Sequence, residues 1–536
     1  CDARRFGGDG DLEWNWKLEH GGGPGDTLKN GGHGGGVVRI EATGGVTVNG
    51  SILANGGAGV ANHGAGGAGG AIHIVCDVLS GGGTISANGG LAQNWSGGGG
   101  GGCIAIAYNP AAQAAAALPG LSIVALGGKS TSAVTFPNTG GVGTLWFPDN
   151  QFLTRVTASD VVRLGGQWLD PSFTAWNIDS LAMNNAWLRF PHVGFTLNVT
   201  NNLSITGTDR DLTRLELTNG VLNCGGDITL DKAALVLHTD NTTGPEVFCD
   251  GNFKLTNLSL MYLYCGTNSA AAPDTTALVD VGGTMTVDAT SWVYPVAIDA
   301  FAPAAPLFEV GNLFVGTGSG FDASIQGWSG ATNKSTIGFG PGKGGTQGGA
   351  GHGGKGGGPN GGAAYGSASN PVTLGSGGGA GDNSVNTSAR GGGALRINAT
   401  GKVAVNGSLL ANGGNGTANH GGGGSGGSVN ILCDTFWGTN GVISANGGTG
   451  ANTTGGGGAG GRIAIRYNAV AQGAVPVPGV TVSANGGLGG RTVTYTRRGD
   501  LGTIYFPDAS MLLAPSGFAV HTGQLVVPGF TAWTLD

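Results

Sequence analysis

The chain has 536 residues, of which 115 are glycine and 10% are charged, and its formal net charge is −7 at pH 7. It carries no basic stripe of the kind that binds nucleic acid and no run of about 20 apolar residues that would span a membrane. Glycine at roughly three times its usual ~7% would read as disorder, but 39% of the residues are apolar and alternate with polar ones, so a long, thin core is expected instead.

The sequence opens at Cys1 and closes in mid-repeat, which predicts a processed or truncated piece of something longer; a lipid-anchored cysteine is the alternative at Cys1. The repeat is its strongest signal. VNGSILANGG, containing Asn55, returns as VNGSLLANGG, containing Asn412, an offset of 357 residues (412 − 55). Phe173-Thr174-Ala175-Trp176 returns as Phe530-Thr531-Ala532-Trp533, and ISANGG, IAIxYN and GTxxFPD recur between them in the same order. A long internal period means one structural unit reused along an axis. Four segments follow: a glycine-rich copy over 1–150, a glycine-poorer region over 151–339, a second glycine-rich copy over 340–510, and the start of a second glycine-poorer region over 511–536.

In the first copy Val38, Ile40 and Ala42 alternate with Arg39 and Glu41, and the second copy keeps this with Leu395, Ile397, Ala399 and Arg396. Strands are predicted over VTVNGSIL, AIHIVCD, GTISANGG and CIAIAYN, with glycine runs such as 64–71 and 97–102 between them. Such runs are either flexible loops or packed three-fold polyglycine helices, which need glycine wherever backbones touch. They show no strict three-residue period. No helix is predicted in either copy.

The middle region reads as a ladder. Val199, Cys224, Cys249, Val281 and Val310 each precede a Gly/Asn corner and a strand, and recur after 25, 25, 32 and 29 residues. The inward pairs are then Leu203/Ile205, Ile228/Leu230, Phe253/Leu255, Met285/Val287 and Leu313/Val315. Corner residues that tolerate positive φ suit the sharp bends of a parallel β-helix. The predicted fold class is therefore all-β, a parallel β-solenoid, with coils about 4.8 Å apart and about 21 coils over roughly 100 Å. An antiparallel sandwich explains the alternation but not the recurring corners.

Seven cysteines (Cys1, Cys76, Cys103, Cys224, Cys249, Cys265 and Cys433) contain no CxxC pair, so zinc has no support. In the ladder register Cys224 lies over Cys249, as a disulfide or a stacked pair, with Cys265 competing for Cys249. Asn-x-Ser/Thr acceptors occur at Asn49, Asn94, Asn198, Asn202, Asn241, Asn257, Asn333, Asn386, Asn398, Asn406, Asn415 and Asn452. They are candidate glycosylation sites, or simply corner residues.

GHGGKGGG (351–358), AYGSASNPVTLGSGGG (364–379), GKVAVNGSLLANGGNG (401–416), GGGGSGGSVNIL (421–432), GVISANGGTG (441–450) and GGGGAGGRIAIRYN (455–468) together resemble a glycine-rich repeat module of large secreted or cell-surface proteins. It is similar to pectin-lyase-type β-solenoids. The resemblance covers most of 340–510 and, more weakly, 28–150, where GDLEWNWKLEHGGGPGD replaces the head of the module. It implies surface location and a structural or adhesive role, and supplies no catalytic residues.

Catalytic β-helices need close carboxylates. The one dense cluster, Asp209-Arg210-Asp211-Leu212-Thr213-Arg214-Leu215-Glu216, reads as a loop held by salt bridges or, alternatively, as a sugar-binding patch. Asp149 and Asp508 recur in FPD as turn caps. His63 and His420 recur in ANHG and are expected to hydrogen-bond glycine-loop carbonyls rather than metal. No cofactor, metal site or catalytic residue is predicted.

The expected function is a structural extracellular protein, a fibre, sheath or stalk built by end-to-end stacking, because a solenoid has open sheet edges at its ends. Its partner is itself, as a homopolymer or as the continuation of a longer chain. The alternative is an adhesin binding surface polysaccharide through Trp14, Trp16, Trp95, Trp168 and Trp176, although recurrence of Trp176 as Trp533 suits a core role. A polysaccharide lyase or hydrolase ranks last.

Overall fold

Alternating apolar residues broken by Gly/Asn corners give short strands, and these stack in parallel coil upon coil. The computed structural model describes residues 31–60, 64–94, 96–117, 119–130, 139–153, 163–170, 172–240, 242–267, 269–272, 274–298, 304–332, 336–381, 389–417, 420–490, 495–512 and 521–531. They fall into two units. One comprises Cys1–Phe195, Leu203–Leu217 and Lys232–Leu235, the other Thr196–Asn202, Thr218–Asp231 and Val236–Asp536.

In the first unit Ile40, Ile74 and Ile106 are register partners in successive coils, formed by strands Val37–Glu41, Ala71–Val75 and Cys103–Ala107. On a second side Ile52, Ile85, Ile123 and Leu164 make an equivalent stack. A short third side pairs Val46–Thr47 with Leu79–Ser80.

In the second unit the predicted ladder appears residue for residue. Ile228 and Leu230 oppose Phe253 and Leu255, which oppose Met285 and Val287, which oppose Leu313 and Val315. Every one of these side chains is buried. The corner residues stack likewise, in the order Val199, Cys224, Cys249, Val281, Val310 and Ala399. The fold is a parallel β-solenoid.

The glycine runs form a second regular element. Along 422–427, Gly422 and Ser425 donate to Gly379 and Ser376; Gly423 and Gly426 donate to Gly456 and Ala459; Gly424 and Gly427 donate to Gly414 and Ala411, all at 2.7–3.0 Å. Successive N–H groups thus address three neighbours in rotation, with the same neighbour recurring every third residue, which is the three-fold symmetry of a polyproline-II-like chain. The first unit repeats this: Gly66 and Gly69 donate to Gly97 and Gly100, and Gly67 and Gly70 to Gly57 and Ala54. These positions need glycine for contact, not for φ. A Cβ on Gly424 would stand 2.0 Å from the Arg390 carbonyl oxygen, and one on Gly426 2.0 Å from that of Ala445.

Two short helices, Pro110–Ala115 and Ala469–Gln472, were not anticipated from the sequence. Asn109 and Asn468 cap them, each side chain accepting from the backbone amides two and three residues on.

Candidate functional site

The feature that distinguishes the two glycine-rich copies is how their first coils are covered. In the second copy Leu395, Ile397, Val403 and Leu409 are fully buried. Strand Leu307–Val315 places Phe308 opposite Ile397 and Leu313 opposite Val403, and strand Gly320–Asp322 places Phe321 opposite Leu409. The equivalent residues of the first copy, Val38, Ile40, Val46 and Ile52, face the same core but are only half-buried. Strand Val37–Glu41 pairs with Ala71–Val75 on one side, and among the described residues no strand pairs with its other edge. Val37 and Leu53 at its rim are 44% and 56% exposed.

Behind this coil the same fittings recur in both copies. Gln113 is wholly buried, and its amide accepts from Leu79 N–H at 2.8 Å and donates to the Leu79 carbonyl at 3.2 Å. Gln472 does the same for Phe436, at 2.7 and 2.9 Å. The side chain stands in for the next strand of the ladder, satisfying both polar groups of a strand end. Tyr108 donates to Asp149 at 2.5 Å and Tyr467 to Asp508 at 2.8 Å. Burial, reinforced by the carboxylate, holds both phenols above their usual range. Asp149 and Asp508 also accept from the backbone N–H of Gln151 and Ser510, so they do cap turns.

Asparagine rungs tie coil to coil. Asn55 accepts from Asn88 N–H and Asn88 from Leu126 N–H, both at 2.7 Å, and Asn412 and Asn446 repeat this with Asn446 and Asn485. Several sequon asparagines are such rungs. Asn49 accepts from Gly82, Asn202 from Asp227, Asn406 from Thr439 and Asn415 from Thr449. Asn198 accepts from the Asn223 side chain and Asn257 donates to Asp231. Asn94, Asn257 and Asn452 have positive φ, as corner residues do. Asn49, Asn202, Asn257, Asn415 and Asn452 are exposed, and Asn94, Asn198, Asn398 and Asn406 are half-buried. Asn241, Asn333 and Asn386 lie outside the described residues.

Cys224 and Cys249 face each other in register as buried thiols that form no disulfide, and Cys265 is likewise a buried thiol. One aromatic expectation is corrected: Trp168 is 3% exposed and stacks on Phe147, while Trp176, 6% exposed, packs on Phe190 in the core role that its recurrence suggested. Trp14, Trp16 and Trp95 lie outside the described residues, as does His63. The Nδ1 of His420 is buried and meets no hydrogen-bond partner among the described residues. The histidine that does bind a glycine carbonyl is His352, fully buried, with Nδ1 2.8 Å from Gly426 O and Nε2 2.9 Å from Thr373 Oγ1. Around it Tyr365 bonds Ser376, and Arg462 donates to the Tyr365 and His352 carbonyls, pinning the 352–376 segment to the solenoid.

The acidic cluster is internally neutralised. Asp209 pairs with Lys129, Asp211 lies 3.6 Å from Arg214, and Glu216 accepts from Trp187 Nε1 at 2.7 Å. Arg214 covers the Trp187 ring at 4.4 Å. Among the described residues no group of three His, Cys, Asp or Glu could hold a metal ion, and no helix is long and apolar enough to cross a membrane. No family model, curated protein or solved structure matches the chain.

Proposed function

We propose that this chain is a structural protein of the cell exterior, a segment or subunit of a fibre, sheath or stalk extended by stacking β-solenoid coils end to end. The observation that carries the reading is the parallel stacking itself, in which backbone ladders join coil to coil and Ile228, Phe253, Met285 and Leu313 form one buried row. A parallel coil ends in edges that match the next coil of the same kind, and a contact between unlike ends that does not close makes a filament. The resemblance to glycine-rich surface modules agrees with this, as do the low charge and the many asparagine acceptors, of which some would carry glycans at the exterior. No catalytic role is proposed, because the one acidic cluster is occupied by ion pairs and by Trp187.

Electron microscopy of the purified chain over a concentration series tests the reading. Filaments that lengthen with concentration are expected; uniform single particles throughout would oppose it.

A second reading, adhesion to surface polysaccharide, draws on a different feature. Tyr262, Tyr294 and Trp292 form a half-buried array on an outer strand face, with ring centroids 5.3 and 6.1 Å apart. Aromatic rings with an apolar body and a polar tip suit sugar chains. Co-sedimentation with insoluble polysaccharide, lost in Tyr294→Ala, would support it; equal pelleting of that variant would not.

A further inference from the structure

The two copies agree in their core rows but differ in the charges on their outer strand faces. In the first copy Arg39 Nε donates to Glu41 Oε1 at 2.8 Å, so the guanidinium is neutralised within its own strand. The second copy keeps the arginine, as Arg396, but has Asn398 in place of the carboxylate. Two coils on, Ala107 of the first copy becomes Arg466. Glu41, Val75 and Ala107 are register partners in successive strands, and so are Asn398, Leu432 and Arg466. In the second copy these positions alternate with the buried Leu395, Ile397, Ile431 and Ile465, which puts them on the outer face. The formal charge of the Arg39/Glu41/Ala107 set is zero (+1 − 1), and that of Arg396/Asn398/Arg466 is +2 (+1 + 1).

The second-copy face has donors to spare and its acceptors are taken. Arg396 Nη1 donates to the Asp274 carbonyl at 2.9 Å. Arg466 Nη2 donates to Asn430 Oδ1 and Asn370 Oδ1 at 3.1 and 3.3 Å, and Asn430 Nδ2 donates to the same Asn370 oxygen at 2.9 Å. The Nε atoms of both arginines are buried and meet no partner among the described residues, and neither arginine forms an ion pair there. The Asn398 side chain makes no hydrogen bond among the described residues. Buried donors without an acceptor are costly, and a ligand that only accepts relieves that cost.

We infer that Arg396 and Arg466, with Asn370, Asn398 and Asn430, bind an oxyanion: a carboxylate or sulfate group displayed on a surface polysaccharide. Such groups accept hydrogen bonds without donating, and the planar guanidinium fork can meet them two bonds at a time. Leu432, between Asn398 and Arg466, is 42% exposed, so the face is open to a group carried on a long chain. Glu309, exposed and opposite Asn398 in register, sets a negative border on one side and directs the anion toward Arg466. The inference rests on the adhesive reading and gives it a site on a different sheet from the Tyr262, Tyr294 and Trp292 array.

Binding of the chain to immobilised dextran sulfate, alginate and uncharged dextran at low ionic strength tests it. The parent should bind at least one charged polymer, which identifies the group as sulfate or carboxylate, and affinity should fall as salt is raised. Asn398→Glu restores the first copy's internal pair, so it should weaken binding about tenfold to a hundredfold at an unchanged melting temperature. Arg466→Ala should weaken it likewise, and Arg466→Lys should recover only part of the loss. Glu309→Gln should tighten binding, whereas Arg39→Ala, on the balanced face, should match the parent. Equal affinity in the parent and Asn398→Glu, or a loss in Arg39→Ala as large as in Arg466→Ala, would overturn the site. Binding to dextran alone, abolished in Tyr294→Ala, would overturn the site and leave adhesion standing. No binding to any of the three polymers would overturn both.

Discussion

At the residue scale the most informative side chain is His352. Burial, aided by the nearby Arg462 charge, lowers its pKa to about 4. The unfolded chain then binds a proton near pH 6.5 that the folded chain refuses until about pH 4, so stability is full above pH 6.5 and falls as pH drops through that window. The loss approaches roughly 3 kcal/mol at the acid end. Urea melts of the parent and of His352→Gln between pH 4 and 7 should show this dependence in the parent and a flatter profile in the variant. Gln472→Ala should cost about 2–4 kcal/mol at neutral pH, since it strands the buried N–H and carbonyl of Phe436; denaturant midpoints measure this. Neither role was legible in the sequence. His352 sits in a glycine run that gives no periodic signal, and its partners Thr373 and Gly426 are brought to it only by folding. Gln472 was within reach, because NPAAQ and NAVAQ recur at matching places after the IAIxYN strand.

At the element scale, the strands were legible and the glycine bundle only half so. Ile228, Phe253, Met285 and Leu313 could be aligned because a strand shows its two faces as period-two alternation. The three-fold helices showed no period for a physical reason. A collagen chain packs one of its three faces at the axis and needs glycine every third residue. The 422–427 run packs all three faces on neighbours, so nearly every position is glycine and the repeat disappears from the sequence. Substitutions follow from the same geometry. Gly424→Ala drives a Cβ against the Arg390 oxygen and should destabilise by about 1–3 kcal/mol or more. Gly36→Ala, with open space around it, should stay within about 0.5 kcal/mol of the parent. Thermal melts of the two variants side by side make the comparison.

At the scale of the whole molecule, the internal repeat serves as its own control. Leu395 and Ile397 of the second copy are fully buried, with Phe308 of strand Leu307–Val315 opposite Ile397, whereas their equivalents Val38 and Ile40 are half-buried. That contrast was not readable from sequence, where Gly36 and Gly393 are the same letter in the same motif. It needed the surroundings of each. End-to-end assembly extends the ladder along the coil-stacking direction, whereas association through the glycine bundles or outer strand faces would add neighbours sideways. X-ray diffraction from oriented assemblies separates the two. End-to-end stacking predicts a strong reflection near 4.8 Å on the meridian, the strand spacing aligned with the filament axis. The same reflection on the equator would mean lateral assembly and would contradict the proposed function.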